Sequence, residues 1–290
     1  MFEGILTALI TPFKKGEIDE SALRDLVERQ IAAGANGVVP CGSTGESATL
    51  SHEEHRRVID VVIEAAAGRI PVVPGTGSNS TKEAIDLTSH AREAGADGAL
   101  LLSPYYNKPT QEGIHDHYAA IAQATGFPLI VYNIPGRTAS NIHPKTLARL
   151  AELPEVVGVK EACGDVDQIA HVIAHCPESF RVLSGDDALT LPVLALGGHG
   201  CISTTANLIP EQMVALYQAW REGDPQKALA LHQQMLPLFD VLFSETNPIP
   251  VKAALALMGE VDEEIRLPLT PMTEPNKAQL SAVMKEAGIL

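Results

Sequence analysis

The chain has 290 residues, 45% of them hydrophobic, which allows one large core or two modest ones. Its 36 acidic and 21 basic residues give a formal charge of −15, which argues against nucleic acid and anionic membranes as partners. No apolar run is long enough to span a bilayer, and the N-terminus lacks the basic segment of a signal peptide. Because the four cysteines are scattered without a C-x-x-C pair, we expect a soluble protein in the reducing cytoplasm.

Short apolar runs alternate with longer amphipathic stretches over residues 1–224. Eight of these runs are candidate strands: Ile5–Thr11, Gly37–Cys41, Pro71–Gly75, Gly98–Ser103, Pro128–Asn133, Val156–Lys160, Phe180–Gly185 and Gly200–Thr204. Alternating strands and helices favour a parallel sheet, because parallel neighbours need a crossover connection. Eight units in about 220 residues predict a (β/α)8 barrel, the TIM barrel. An open doubly wound sheet is the alternative, and it would follow if one weak strand were miscounted.

After Asp224-Pro225 this alternation stops. Residues 226–243, 250–258 and 276–287 predict helices, and Pro-rich segments join them. We therefore divide the chain into a catalytic barrel, residues 1–224, and a C-terminal helical region, residues 225–290. The helical region shows no obvious chemistry, and we expect it to pack outside the barrel or to help subunits associate.

Lys160 ends a short β-branched run that begins after Pro154. Period-2 alternation places it on the same face as Gly158 and opposite Val157 and Val159. A lysine at the end of a buried strand can be a nucleophile, because desolvation lowers its pKa and exposes a free amine. The alternative is that the side chain extends to solvent or pairs with Glu161.

Other reactive residue types follow the predicted strands, where a (β/α)8 barrel places its chemistry. They are Ser43 and Thr44 in a glycine-flanked loop, Tyr105 and Tyr106, Tyr132, Arg137, and Asp186 and Asp187. A tyrosine near a lysine can transfer protons without adding a competing charge, whereas a lone tyrosine is more often a packing residue. Arg137, in a Pro-Gly-Arg turn, can bind a carboxylate bidentately or be merely solvated. Together with Lys160, the set favours chemistry.

Several other motifs lack the required spacing or position. Gly75-Thr76-Gly77 is neither a dinucleotide fingerprint nor a P-loop, and Gly197–Gly200 precedes a strand. His52 and His55 are three residues apart instead of the four found in a zinc protease helix, so no metal is indicated. A lysine, tyrosines and a carboxylate-binding arginine in one barrel mouth instead suit Schiff-base chemistry on a 2-oxo acid, in which the iminium acts as an electron sink.

Six segments carry longer motifs in a fixed order: Gly42–Leu50, Pro104–Pro109, Val131–Thr138, Val159–Ala162, Ser184–Asp187 and Asn247–Lys252. Through them the chain resembles, over essentially its whole length, the dihydrodipicolinate synthase family of pyruvate-dependent lysine aldolases. The resemblance implies condensation of pyruvate with L-aspartate 4-semialdehyde to 4-hydroxy-tetrahydrodipicolinate, the first committed step of lysine and diaminopimelate synthesis. It also implies a homotetramer, a dimer of dimers, with no metal or organic cofactor.

The resemblance also implies catalytic roles. Lys160 would form the imine with pyruvate, and Tyr132 would donate and accept protons during imine formation and condensation. Ser43 and Tyr106 would complete a proton relay to solvent, with Tyr106 reaching in from a neighbouring subunit. Ser43 departs from the family's usual threonine, and although its hydroxyl can serve the relay, losing the methyl frees a rotamer.

For substrate binding, the resemblance implies that the Thr44 region holds the pyruvate carboxylate and that Ile202 lies against pyruvate. Arg137 would receive the carboxylate of aspartate semialdehyde, and Gly185 would border the same pocket. Feedback inhibition by L-lysine is a further implication, at a subunit interface formed by Ser47, Ala48, His52, His55, Asn79, Glu83 and Tyr105. For His52 and His55 as an isolated pair, solvated helix surface is the alternative.

Two alternatives remain open. A sugar-acid aldolase such as N-acetylneuraminate lyase shares the imine step, and such enzymes carry Ser-Thr in the loop that holds Ser43 and Thr44. Arg137 and Tyr106 argue against it, because a sugar-acid pocket would call for smaller or hydroxyl groups at the arginine. A small-molecule binding protein that lost the chemistry is the other alternative, and retention of Lys160 and Tyr132 argues against that.

Overall fold

The structure, a computed structural model, describes residues 2–290. Its strands are Gly4–Ala8 (β1), Phe13–Lys14 (β2), Glu17–Ile18 (β3), Gly37–Val39 (β4), Ala99–Leu102 (β5), Leu129–Asn133 (β6), Val156–Glu161 (β7), Arg181–Ser184 (β8) and Gly200–Ser203 (β9). Seven of them form one parallel sheet in the order β4-β1-β9-β8-β7-β6-β5, and β2 and β3 form a separate antiparallel pair that the sequence analysis did not predict. Seven predicted strands are thereby confirmed. Six of them are shorter than predicted, whereas β7 extends one residue beyond its predicted end, to Glu161.

The remaining predicted strand, Pro71–Gly75, the third in chain order, closes the ring without being a regular strand. It forms isolated parallel bridges, Val72 to Val38 on one side and Gly75 to Leu100 on the other. Pro71 and Pro74 have no N–H to donate, so a continuous ladder cannot form here, although the Pro71 carbonyl accepts a bond from Val38 at 2.9 Å. The (β/α)8 barrel is confirmed, and this segment bridges the gap between β4 and β5.

Strand β7 departs from simple alternation at Val157. The pairing with β6 runs from Leu129–Val156 directly to Ile130–Gly158, so Val157 has no partner there and forms a bulge. Val157 consequently packs against the cluster inside the barrel, and its predicted place on the face opposite Lys160 is wrong. Val159 lies on the outer face as predicted.

The barrel has an inner and an outer hydrophobic core. The inner cluster fills the ring with side chains from successive strands: Phe2, Leu6, Ala8, Val39, Val73, Leu100, Ile130, Tyr132, Leu183 and Ile202. The outer cluster lies between the strands and the surrounding helices. The interior is thus packed, and open space for a ligand lies at the end of the barrel where the strands terminate.

Among residues 2–290, twelve helices accompany the strands: Glu20–Ala32 (α1), His52–Ala66 (α2), Thr81–Ala94 (α3), Gln111–Thr125 (α4), Pro135–Thr138 (α5), Pro144–Leu150 (α6), Val166–His175 (α7), Thr190–Ala195 (α8), Pro210–Arg221 (α9), Pro225–Val241 (α10), Ile249–Leu257 (α11) and Glu274–Glu286 (α12). Short 3₁₀ helices occupy Ser47–Thr49, Asp187–Leu189 and Thr205–Asn207. Ser51 and Glu54 form a complete capping box at the start of α2, because each side chain bonds the other residue's backbone N–H.

The three predicted C-terminal helices are α10, α11 and α12. Helix α10 packs against α9, and α12 packs against α10 and α11. Their apolar residues, including Leu238, Val251 and Leu280, join the same outer cluster as Ile5 of β1, so the helical region shares its core with the barrel. Within residues 2–290, no helix has the length and apolar character needed to cross a membrane.

Candidate active site

Lys160 and Tyr132 meet at the ends of neighbouring strands. The register pairs Lys160 of β7 with Tyr132 of β6, and Lys160 Nζ lies 4.3 Å from the centroid of the tyrosine ring. Both side chains are buried, at 6% exposure each. Within residues 2–290, no hydrogen bond or ion pair engages the Lys160 amine. In its neutral form the amine can therefore offer its lone pair to a carbonyl carbon.

Glu161 follows Lys160 but belongs to the other face of β7. Its Oε1 accepts hydrogen bonds from Asn133 Nδ2 at 2.9 Å and from the Cys163 N–H at 3.1 Å, and its Oε2 has no partner. Burial raises the pKa of Glu161 to about 7. The carboxyl group therefore does not pair with Lys160. Its hydrogen bonds to Asn133 and Cys163 instead hold the end of β7 in place.

Gly185 follows β8 and Ile202 lies in β9, the next two strands of the sheet after β7, which carries Lys160. A Cβ atom at position 185 would lie 2.9 Å from Lys160 Cε, so a residue other than glycine there would displace the lysine side chain. Ile202, on β9, is 1% exposed and belongs to the inner cluster that also contains Tyr132. Gly185 therefore lies beside the Lys160 side chain, and Ile202 packs in the cluster that holds the Tyr132 ring.

The Gly42–Ser47 loop presents two hydroxyls, and each has a different environment. Ser43 is half-buried and lines the large cavity described below. Thr44 is buried, its Oγ1 accepts a hydrogen bond from Asn247 Nδ2 at 2.9 Å, and it lies 3.3 Å from Thr204 Oγ1. The Thr44 side chain is therefore fixed by protein groups, whereas that of Ser43 is open to a ligand.

A cavity of about 480 Å³ opens at this end of the barrel. Ser43, Tyr132 and Arg137 line it among the predicted active-site residues, and Lys160, Thr44, Gly185 and Ile202 lie outside its lining. Arg137 is exposed at the rim, where its Nη2 donates to the Asn247 carbonyl at 3.0 Å. Since Tyr132 is both a wall residue and the neighbour of Lys160, it connects the cavity to the amine.

Tyr106 is the predicted catalytic residue that lies apart from this group. Its side chain is 88% exposed, it does not line the cavity, and its backbone has a φ of 72°, a conformation that non-glycine residues rarely adopt. Within one chain the structure therefore does not bring Tyr106 to Lys160.

The residues expected to bind lysine lie along the far part of the same cavity. Ser47, Ala48, His52, His55, Glu83 and Tyr105 line it. Asn79 does not, and its Nδ2 donates to the Tyr105 carbonyl at 3.2 Å. One continuous cavity thus runs from the catalytic residues to the expected lysine-binding residues.

The two histidines in this part of the cavity differ. His52 is exposed, and its Nε2 lies 3.0 Å from Glu83 Oε1. His55 is 5% exposed, bonds the Gly75 carbonyl through Nε2 at 2.9 Å and leaves Nδ1 without a partner; burial lowers its pKa. Solvated helix surface therefore describes His52 but is wrong for His55.

The cysteines are all free. Burial raises the pKa of Cys163, two residues after Glu161, to about 12, and raises those of the buried Cys41 and Cys201 as well. Thiols with raised pKa values are poor nucleophiles, so these cysteines are poor candidates for a catalytic role.

Sequence reasoning assigned no role to two buried residues of the C-terminal region. Asn247 lines the cavity and bonds both Thr44 and Arg137, and Lys252 forms a buried ion pair with Glu46 in the Gly42–Ser47 loop. Both belong to the Asn247–Lys252 motif, which is the signal that could have pointed to them. The expectation that the C-terminal region carries no chemistry is corrected here, because the region supplies part of the cavity wall.

The dihydrodipicolinate synthetase family model matches residues 1–287. The 4-hydroxy-tetrahydrodipicolinate synthase of Syntrophus aciditrophicus (strain SB) is 57% identical over 290 residues, which is 100% of both chains. Dihydrodipicolinate synthase from Thermotoga maritima is similar in structure, with a TM-score of 0.99, 44% identity and 100% of both chains covered. The lysine-bound enzyme from Cyanidioschyzon merolae has a TM-score of 0.97 at 42% identity, covering 100% of this chain and 99% of that one. Together with the barrel geometry, these matches establish that the chain belongs to the dihydrodipicolinate synthetase family.

Proposed function

We propose that this protein is a 4-hydroxy-tetrahydrodipicolinate synthase, which condenses pyruvate with L-aspartate 4-semialdehyde for lysine and diaminopimelate synthesis. The observation that carries the proposal is the buried Lys160 amine, 4.3 Å from the Tyr132 ring centroid, at the carboxyl end of a strand in a barrel of this family. Full-length relatives of this name at 57% and 54% identity support the choice of substrates.

In the proposed reaction, the neutral Lys160 amine attacks the ketone carbon of pyruvate, and loss of water leaves an iminium. The iminium accepts electrons from the adjacent C–H bond, so the methyl carbon loses a proton and an enamine forms. This carbon attacks the aldehyde of the second substrate, and the aldehyde oxygen takes up a proton to become the hydroxyl. The substrate's own amine then attacks the iminium carbon, closes the ring and expels Lys160.

Tyr132 is the residue we assign to the proton transfers. It is the side chain that both contacts Lys160 and lines the cavity through which substrate arrives. Ser43 lines the same cavity and extends the proton path towards the open end. Thr44, Ile202 and Gly185 are assigned to the bound pyruvate. For Gly185 its closeness to the Lys160 side chain supports this, and for Ile202 its place in the inner cluster with Tyr132 does.

Arg137 favours aspartate semialdehyde over a sugar acid as the second substrate. Its guanidinium lies at the cavity rim, where the Asn247 carbonyl engages Nη2, and it can still offer other N–H donors to a carboxylate. Aspartate semialdehyde carries such a carboxylate near its amine, whereas the sugar aldehyde formed by N-acetylneuraminate lyase has none.

Two assays on the same preparation test the proposal. Borohydride reduction with pyruvate, followed by peptide mapping, should add one reduced pyruvate unit to the peptide that contains Lys160. In a separate, untreated portion of the preparation, condensation should proceed with aspartate semialdehyde and not with N-acetylmannosamine. A clear preference for the sugar would replace the proposal by the lyase alternative, and pyruvate binding without turnover of either aldehyde would indicate a binding protein.

We propose that L-lysine inhibits the enzyme by binding the far part of the cavity. Glu83 offers a carboxylate for the ligand's ammonium, and its neighbours His52 and Tyr105 line the same space. The lysine-bound relative from Cyanidioschyzon merolae supports this assignment.

Glu83→Gln should therefore raise the lysine concentration that gives half-maximal inhibition by about tenfold, because a hydrogen bond to a charged group becomes a neutral one. Glu93→Gln, an exposed change on the same helix α3, should leave inhibition as in the wild type. Unchanged activity of the wild type at millimolar lysine and subsaturating pyruvate would contradict the proposal.

We further propose a homotetrameric, cytoplasmic enzyme in which Tyr106 completes the site of a neighbouring subunit. A tyrosine ring at 88% exposure on a strained backbone supports an intersubunit contact. Sedimentation at assay concentrations should show a tetramer, and Tyr106→Phe should lower kcat without unfolding the chain. A fully active monomer would contradict this assembly.

A further inference from the structure

Lys252 and Glu46 form an ion pair that water does not reach. Lys252 Nζ lies 2.5 Å from Glu46 Oε1, and the two side chains are 2% and 1% exposed. Lys252 Nζ also lies 4.3 Å from the centroid of the Phe13 ring. Burying two charges is costly even when they are paired, so a pair of this kind is weak evidence for stability and calls for another explanation.

Glu46 closes the loop that carries Ser43 and Thr44. Its backbone is left-handed, with φ 54° and ψ 34°, and its N–H donates to the Ser43 carbonyl at 3.2 Å. Residues other than glycine adopt this conformation uncommonly, so contacts that hold the Glu46 side chain also help to hold its backbone. The surroundings here are Lys252 on Oε1 and the Arg266 N–H on Oε2 at 3.2 Å.

Asn247, five residues before Lys252, is hydrogen-bonded to the same Gly42–Ser47 loop. Its Nδ2 donates to Thr44 Oγ1 at 2.9 Å, and its carbonyl accepts from Arg137 at 3.0 Å. Asn247 and Lys252 are five residues apart, one just before α11 and one within it. A single segment therefore contacts both the loop assigned to pyruvate and the arginine assigned to the second substrate.

We propose that Lys252 is a positioning residue: through Glu46 it sets the placement of Ser43 and Thr44, so that helix α11 of the C-terminal region determines the affinity of the barrel for pyruvate. The inference rests on the proposed function, since it concerns the loop assigned to the pyruvate carboxylate. Lys252 itself does not line the cavity and touches neither Lys160 nor Tyr132 among the contacts of residues 2–290.

The test compares Lys252→Met with the double variant Glu46→Gln/Lys252→Met. Lys252→Met leaves the Glu46 charge unpaired and should lower the thermal midpoint, whereas the double variant removes both charges and should recover most of that loss. The KM for pyruvate should nevertheless stay raised in both variants, by about tenfold to a hundredfold. Both lack the Lys252–Glu46 ion pair that positions the Gly42–Ser47 loop. A purely structural pair would let KM recover together with stability.

Lys277→Met is the matched control, since Lys277 also pairs with a glutamate, Glu263, in the C-terminal region but has no contact with the loop. It should change neither KM nor kcat. Folded variants with wild-type KM would overturn the proposal, as would failure of both Lys252 variants to fold beside a folded Lys277→Met. Absence of borohydride trapping at Lys160 in the wild type would instead refute the proposed function, so the two failures are distinguishable.

Discussion

Lys160→Met should abolish trapping of pyruvate by borohydride and lower the condensation rate by about 10⁴-fold or more. Methionine fills a similar volume at the 6%-exposed site, and no ion pair or hydrogen bond of the lysine is lost within residues 2–290. The amine is the group that converts the ketone into an electron sink, and within residues 2–290 no other lysine contacts Tyr132 or lines the cavity. The measurements are steady-state kinetics and mass analysis of the borohydride-treated protein.

Lys285→Met is the control, because Lys285 is an exposed lysine on α12. It should trap pyruvate at Lys160 and turn over at the wild-type rate. Thermal unfolding of Lys160→Met should follow that of the wild type, which separates loss of chemistry from loss of fold. Substantial condensation by a folded Lys160→Met protein would require a different nucleophile and would remove the basis of the proposed mechanism.

The barrel could be predicted from the sequence because its signals are local. Apolar runs and amphipathic stretches alternate, and each strand end marks a position on the same rim. That rule places Lys160 on the rim, and it was the tyrosines, hydroxyls and Arg137 after other strands that favoured a catalytic lysine over a solvated one. Segment 71–75 was recognisable as one of the eight units. Its two prolines, however, limit it to isolated β-bridges instead of a regular strand.

The features that could not be predicted depend on contacts between distant parts of the chain. Asn247 bonds Thr44 across 203 positions, and Lys252 bonds Glu46 across 206. No periodicity or spacing in either segment indicates which partner it will find. The bulge at Val157 is similar, since it depends on how β6 and β7 pair, and alternation within β7 alone predicts the wrong face.

Tyr132→Phe should lower kcat by about 10²- to 10³-fold while leaving the fold intact, because it removes the proton-transferring hydroxyl and keeps the ring. The ring packs in the inner cluster and lies beneath Lys160 Nζ, and phenylalanine keeps both kinds of packing. Both imine formation and condensation use the hydroxyl, so borohydride trapping should become slow in its time course yet still reach completion at Lys160. Rapid-quench trapping and steady-state kcat measure the two effects.

Tyr118→Phe is the matched control, since it deletes the hydroxyl of another buried tyrosine. Tyr118 Oη donates to the Leu101 carbonyl at 2.8 Å from the outer cluster and also faces the Tyr132 backbone, but Tyr118 itself does not line the cavity. That variant should lose about 1 kcal/mol of unfolding free energy and keep its kcat. Tyr132→Phe could instead behave like Tyr118→Phe, with lower stability and a kcat within about twofold of the wild type. The proton transfers would then have to pass through Ser43 or bound water.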